Sequence, residues 1–242
     1  MNTLPFFQDV TVYDELEPCP YLEKCTARLP LQVPSRRVSQ KETDLRLDAR
    51  QRRTGEFVYS THCPQCTACE PIRLLVDEFE FSTTHKRTLK RNNRSLTPYI
   101  GPVLVDPVRI QMFNQHRNGR GLGRGESNID TEEYAWAFQR SCFDTFEISY
   151  ALNDQLACVA ICDQGEQSLS AVYTFYDTSQ QQLSLGTYSI LKQIEYCRQT
   201  KRKYLYLGFY IAACSHMSYK GNFLPHERLV GGVWKRFDRI TP

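Results

Sequence analysis

The chain has 242 residues, a formal net charge of +3, 41% hydrophobic residues and 24% charged ones. That length allows one large domain or two small ones with ample core. The charge is too small to announce nucleic-acid binding by itself, and the longest apolar runs are far too short to span a bilayer. The N-terminus, MNTLPFFQDV, lacks both the basic region and the long apolar run of a secretory signal. A cytoplasmic location with no membrane partner is therefore expected. Ten cysteines in that compartment point to metal ligation or buried thiols, not to a disulfide framework.

Residues 1 to 18 read as an extended or irregular lead-in. Arg28 to Val38 reads as strand and turn, broken by Pro30 and Pro34. Lys41 to Arg53 reads as a polar helix, with Leu45 and Ala49 or Leu47 inward, ended by Gly55. Phe57-Val58-Tyr59 is a short strand. The run Cys63-Pro-Gln-Cys66-Thr-Ala-Cys69 follows, then a strand from Ile72 to Val76. Residues 85 to 94, HKRTLKRNNR, hold five Lys/Arg and no acid, in a helix started at Ser82 or Thr83. Thr97 to Pro102, with two prolines and a glycine, is the expected boundary between an N-terminal part (1–100) and a C-terminal part (101–242).

In the second half, Asp106-Pro107 is a cap plus a first-turn proline, opening a helix to about His116. Asn118 to Ser127 is a glycine-rich loop. Asp130 with Glu133 is a capping box, opening a helix to about Arg140. Two hairpins in series then follow: Phe146 to Leu152, a turn at Asn153-Asp154, Gln155 to Cys162, a turn at Asp163 to Gln167, and Ser168 to Tyr176. Ile190, Ile194 and Cys197 stand at helix spacing. Tyr204 to Ile211 alternates as a strand. Cys214 to Pro225 is a loop, and Val233 to Ile240 one last strand. Antiparallel meander, helix, strand is the core order of the acetyltransferase-like (GNAT) fold. The expected class is α/β (α+β): a GNAT-like C-terminal domain with a smaller cysteine-containing N-terminal domain. Order alone does not assign chemistry.

Five features could carry chemistry. Cys63, Cys66 and Cys69, with Cys19 or Cys25 from a separate segment, offer ligands for a structural zinc or an iron–sulfur cluster, and His62 could substitute. Burial as small apolar residues is the alternative, weighed equally. Lys86, Arg87, Lys90, Arg91 and Arg94 share one helical side, a plausible phosphate-contacting stripe. The glycine-rich loop follows a helix instead of a strand, so the dinucleotide reading lacks its context. Between meander and helix stands a single glycine, Gly186, which argues against the pyrophosphate cradle an acetyl-CoA enzyme needs. Polar residues also punctuate the strands, among them Asp163, Ser170, Tyr173, Tyr206 and Tyr210, with Lys220 in the loop beyond.

Taken together, these strings resemble a known family. The landmarks are Cys19-x-Tyr21, Arg52-Arg53-Thr54-Gly55 with Val58-Tyr59, Cys63 to Arg73, Lys86-Arg87 and Lys90-Arg91. They continue with Asp163, Ser170-Ala-Val-Tyr173, Tyr176-Asp177, Ser184 to Tyr188, Leu207-Gly-Phe-Tyr-Ile211 and Met217-x-Tyr219-Lys220. Over nearly its whole length the chain is similar to the aminoacyl-tRNA–protein transferases, which comprise arginyl-tRNA–protein transferases and bacterial aspartate/glutamate leucyltransferases. The cysteine triplet and compact length are similar to the bacterial branch. Gln51 departs from the pattern where an aromatic usually precedes the Arg pair, and Ser215-His216 where Pro-Lys is usual.

The resemblance implies transfer of an amino acid, leucine ahead of arginine, from aminoacyl-tRNA to the α-amine of proteins beginning with Asp or Glu, marking them for degradation in the N-degron pathway. No cofactor is required for such a transfer. It implies Asp163 as orienter or base for the amine, and Ser170 and Tyr173 lining the aminoacyl pocket. Arg73, Lys86, Arg87 or Lys220 would meet the acidic residue, with Lys220 alternatively on the terminal phosphate. Lys90 and Arg91 would join the tRNA-binding stripe, and Tyr206 and Tyr210 the substrate surface. Cys19, Cys63, Cys66 and Cys69 form the candidate metal set. Two competing readings are an RNA-binding zinc module with an inactive transferase-like domain and a GNAT N-acetyltransferase.

Overall fold

A computed structural model describes residues 7–122 and 127–239. The first hundred residues give β1 (Asp9–Tyr13), β2 (Leu16–Pro18), β3 (Thr26–Arg28), β4 (Leu31–Pro34), α1 (Gln40–Asp48), β5 (Arg52–Thr54), β6 (Phe57–Tyr59), β7 (Glu70–Leu75), α2 (Thr83–Asn92) and β8 (Leu96–Gly101). The remainder gives α3 (Pro107–Gly119), α4 (Thr131–Tyr134), β9 (Thr145–Leu152), β10 (Gln155–Gln164), β11 (Ser168–Tyr176), α5 (Leu185–Gln199), β12 (Tyr204–Tyr210), α6 (Ser215–Ser218), β13 (His226–Val230) and β14 (Val233–Phe237).

Eight strands form one mixed sheet in the order β14-β13-β7-β12-β11-β10-β9-β8. A four-stranded sheet, β1-β4-β6-β5, belongs to the N-terminal part, and β2 pairs with β3 alone. The two expected hairpins are present: Asn153 and Asp154 turn β9 into β10 with φ of 49° and 62°, the left-handed conformation these residues tolerate. Between β11 and β12 the chain makes a helical crossover through α5, and these two strands run parallel. The core order is the GNAT-like one expected.

The large sheet crosses the boundary expected near residue 100. Strand β7 pairs with β12 on one side and β13 on the other. Residues 97–101, expected as a linker, are most of β8, an edge strand paired with β9. An edge tolerates Pro98 because one side of its ladder has no partner to serve. Three further expectations change. The polar helix stops at Asp48, because Arg50 takes φ 73° and the chain re-enters as β5; Leu47 faces inward and Leu45 outward. The helix opened by Asp130 and Glu133 keeps its capping box but runs from residue 135 to 139 as a π-helical turn. The loop from Cys214 contains α6 and a 3₁₀ turn (Tyr219–Asn222). Part of the glycine-rich loop, residues 123–126, lies outside the described residues, as do residues 1–6 of the lead-in and Ile240.

Strand alternation sorts the sheet into two faces. One carries Ile72, Leu74, Ala160, Cys162, Leu169, Leu205 and Leu207, packed with Leu191, Ile194 and Cys197 of α5 and Leu89 of α2. Fully burying each such side chain is worth ~1.5–3 kcal/mol. The other face carries Val159, Ile161 and Phe175, packed with Met112 and Phe113 of α3 and with Tyr134 and Phe138. Over the rest of that second face lies the N-terminal part.

Candidate active site

One row of polar residues crosses this second face. Register places Thr145 opposite Asp163, Asp163 opposite Ser170, Ser170 opposite Tyr206, Tyr206 opposite Arg73, and Arg73 opposite Glu227. Residues directly opposite share a face, so four sequence-predicted residues, Asp163, Ser170, Tyr206 and Arg73, stand in one line. The line marks a topological break. Strands β11 and β12 pair only through Ser168–Ser170 and Tyr204–Tyr206. Beyond that both continue, to Tyr176 and Tyr210, without pairing to each other. A cleft therefore opens between them with Ser170 and Tyr206 at its throat.

The strand irregularity that opens the cleft has a local cause. Gly208 has φ +81°, and the β12–β7 register shifts between Tyr206 and Phe209. Lys220 uses the space: a Cβ on Gly208 would sit 3.7 Å from its Nζ. The Lys220 ammonium donates to the Phe209 carbonyl at 2.9 Å and lies close to Met217 Sδ. Burial, and then Arg52, pull its pKa down to about 7.

The row is held from above by the N-terminal part. Arg53 donates from Nε to Asp163 Oδ2 at 2.7 Å, and Thr145 Oγ1 donates to Asp163 Oδ1 at 2.6 Å. Asp163 is thus buried with both oxygens engaged. Arg73 holds Glu227 at 2.7 Å and Asp48 at 2.8 Å, and donates to the Tyr206 hydroxyl at 2.9 Å. Its guanidinium is sandwiched by Tyr204 and Trp234, at 4.1 and 4.0 Å. Arg73 is therefore a fully committed scaffold cation. Burial pushes the Tyr206 phenol up to about 12, so it stays a neutral hydroxyl.

The other predicted residues fall in different places. Tyr173 is at the margin of the second core, its ring 5.4 Å from Phe113 and 5.6 Å from Phe138. Tyr210 lies at the far end of β12 beneath Arg228, 4.4 Å away. Lys86, Arg87, Lys90 and Arg91 all project from α2 into solvent, as the helical spacing expects. Their helix borders the cleft at both ends. His85 stacks on Phe223, just past Lys220, and Asn92 donates to the Leu183 carbonyl before α5.

The cysteines divide. Cys158, Cys162 and Cys197 are core residues. Cys69 is pushed up to about 12 by burial, with Cys63, Cys19, Cys66 and Cys214 adding to the shift, so the candidate set shares one neighbourhood. Among the described residues, however, no three His, Cys, Asp or Glu side chains converge as a metal site. Sequence reasoning did not single out Arg52, Thr145, Gly208 or Cys214. Only the Arg52-Arg53 pair and the Leu207-Gly-Phe-Tyr-Ile211 string had hinted at two of them.

The family models assign this fold and row to a transferase of the kind that uses charged tRNA. Residues 17–87 match the model of the arginine-tRNA-protein transferase N terminus, and residues 108–230 that of its C terminus. The aspartate/glutamate leucyltransferase of Chromobacterium violaceum is 32% identical, covering 90% of each chain. That of Thiobacillus denitrificans is 32% identical, covering 98% of each. A solved structure of FemX superposes with a TM-score of 0.45 and 8% identity, covering 81% of this chain and 79% of that one. The chain belongs to the arginine-tRNA-protein transferase family, and it is an aminoacyltransferase.

Proposed function

We propose that this protein moves leucine from leucyl-tRNA to the α-amine of proteins that begin with aspartate or glutamate. The observation that carries the reading is similarity, end to end, to relatives named aspartate/glutamate leucyltransferase. The acceptor so marked enters N-degron degradation in the cytoplasm. No helix among the described residues is long and apolar enough to cross a membrane.

The chemistry asks little of the protein. An aminoacyl ester is already activated, so neither a covalent enzyme intermediate nor a cofactor is needed. The acceptor amine, with a reference pKa of ~7.7–8.0, attacks the ester carbonyl. The new C–N bond forms, the C–O bond to the terminal ribose breaks, and the amine proton goes to the ribose oxygen. The protein supplies proximity and hydrogen bonds to the developing oxyanion.

The cleft between β11 and β12 takes the ester, with the Ser170 hydroxyl at its throat. Asp163, fixed by Arg53 and Thr145, orients the amine instead of carrying its proton away. The basic face of α2, flanking the cleft, takes the phosphates of the tRNA acceptor end. A zinc ion or iron–sulfur cluster on Cys19, Cys63, Cys66 and Cys69 would require those side chains to draw together, and no step runs through one.

The test is a transfer assay. Peptides starting with Asp, Glu or Ala are mixed with tRNA charged with labelled leucine or arginine. Label from leucyl-tRNA on the acidic peptides alone is expected. Label from arginyl-tRNA would reassign the donor, and tRNA binding with no label would favour the RNA-binding reading.

A further inference from the structure

Five of the buried arginines are matched to carboxylates. Arg46 holds Asp9 and Glu42, Arg53 holds Asp163, Arg73 holds Asp48 and Glu227, Arg109 holds Asp106 and Glu147, and Arg228 holds Glu70. Arg202 has no acid but gives Nε and Nη2 to the Gly165 carbonyl and to Gln164 Oε1; Arg52 has neither an acid nor an acceptor on that edge. It is 7% exposed, yet its Nε and Nη2 have no partner among the described residues. Only Nη1 is used, on the carbonyls of Leu47 and Gln51. Nε and Nη2 form one edge of the guanidinium, the edge that takes both oxygens of a carboxylate. Arg53 and Arg73 show the neighbouring use of Nε on a carboxylate in this same site.

A second cation stands beside it. Lys220 is 9% exposed and, among the described residues, also has no acid partner. Both groups sit over the irregular part of β12. The Arg52 guanidinium is 5.4 Å from the Tyr206 ring and 5.5 Å from that of Phe209, and Lys220 Nζ is on the Phe209 carbonyl. Burying one unpaired charge is costly, and burying two of the same sign together costs more. The mutual repulsion is visible in Lys220, whose ionisation Arg52 opposes. A fold that maintains such a pair is built for an anion that arrives from outside.

We propose that Arg52 and Lys220 form the pocket that reads the side-chain carboxylate of the acceptor's first residue. This rests on the transfer reading above and adds the residues that set its specificity. Aspartate and glutamate share that carboxylate and differ by one methylene, and a Lys stem beside a fixed fork absorbs that difference. The amides of Asn and Gln would present an NH₂ group to two cations and leave them unneutralised. A tRNA phosphate is the other anion on hand, but its partners are better met by the exposed stripe on α2 than by a fork with less than a tenth of its surface exposed.

The test is steady-state transfer from leucyl-tRNA to peptides starting with Asp, Asn, Glu or Gln, using the wild type, Arg52→Met and Lys220→Met. In the wild type, Asp is expected to exceed Asn in kcat/KM by on the order of 100-fold or more, from two charge-assisted contacts. In each variant that ratio is expected to fall at least tenfold, through KM for the acidic peptide, with KM for leucyl-tRNA unmoved. A raised KM for leucyl-tRNA with discrimination intact would overturn the proposal in favour of a phosphate site. Unchanged values for both substrates would overturn it in favour of a structural role.

If the wild type labels no acidic peptide, the transfer reading itself fails, which separates the two ideas. Calorimetry on the wild type alone covers the case of a variant that does not fold. Arg52 and Cys214 are the ionisable groups that face Lys220. Binding an Asp peptide at pH 8, in buffers of different ionisation heat, should take up a proton on Lys220, and an Asn peptide should not. Equal proton uptake by both would also overturn the proposal.

Discussion

Arg53 on β5 and Asp163 on β10 meet at 2.7 Å with both side chains almost wholly out of solvent. The pair fastens the N-terminal part to the large sheet next to the throat of the cleft. Removing one member strands the other charge, which costs ~3–5 kcal/mol. Asp163→Asn should therefore lower the urea midpoint and also abolish transfer. The double variant Arg53→Met/Asp163→Leu should recover much of the stability and none of the transfer. Full activity in Asp163→Asn would remove the orienting role assigned to this carboxylate.

Gly208 holds a backbone conformation that costs a side chain ~1–2 kcal/mol. Gly208→Ala is expected to lose about that much stability by thermal melting. The added methyl would stand in ordinary contact with Lys220 Nζ, at 3.7 Å, so the loss is expected from the backbone, with KM for the acidic peptide little changed. Asn tolerates positive φ better, and Gly208→Asn should melt above the Ala variant.

Lys220 links stability to pH in a defined direction. Unfolded, it keeps its proton to ~10.4; folded, it releases it near about 7. Between those values the unfolded chain binds more protons, so stability rises with pH. Lys220→Met should be more stable than the wild type below pH 7 by a constant margin. That margin should shrink steadily as pH climbs toward 10, as denaturation across the range would reveal. A margin independent of pH would mean that folding leaves the Lys220 pKa where it is in the unfolded chain.

The stripe on α2 should act on tRNA alone. Replacing Lys86, Arg87, Lys90 and Arg91 one at a time by Gln is expected to weaken tRNA binding and to lower the salt slope by about 1 for each phosphate no longer neutralised. KM for the peptide should stay constant. Filter binding at several salt concentrations reads the slope directly.

Local signals carried the sequence reading a long way. The Asn153-Asp154 turn, the Asp106-Pro107 start, the Asp130–Glu133 box and the one-sided spacing of Lys86 to Arg91 are all short-range chemistry, and each is seen in the fold. Thr97 to Pro102 misled because proline and glycine mark edge strands as well as linkers. The position of β7 was hidden because both of its partners come more than a hundred residues later. Asp163, Ser170, Tyr206 and Arg73 were legible one by one as polar interruptions, but their alignment depends on register, which no single strand reveals. Tyr173 carried the same polar signal, yet its ring serves the second core. Arg52 was out of reach for a different reason. Its significance is the lack of an acid beside it, and a missing neighbour leaves no mark in a sequence.

The interleaving of β7 between β12 and β13 also sets a timetable. During synthesis, β7 is complete about 130 residues before Tyr204 opens β12, from their places in the chain. At ~5–20 residues per second that is an interval on the order of ten seconds. Through it the apolar side of β7, with Ile72 and Leu74, waits without either neighbour. The nascent N-terminal half is thus the stage at which holding chaperones matter, and a gene split near residue 100 should yield two insoluble pieces that regain solubility when expressed together.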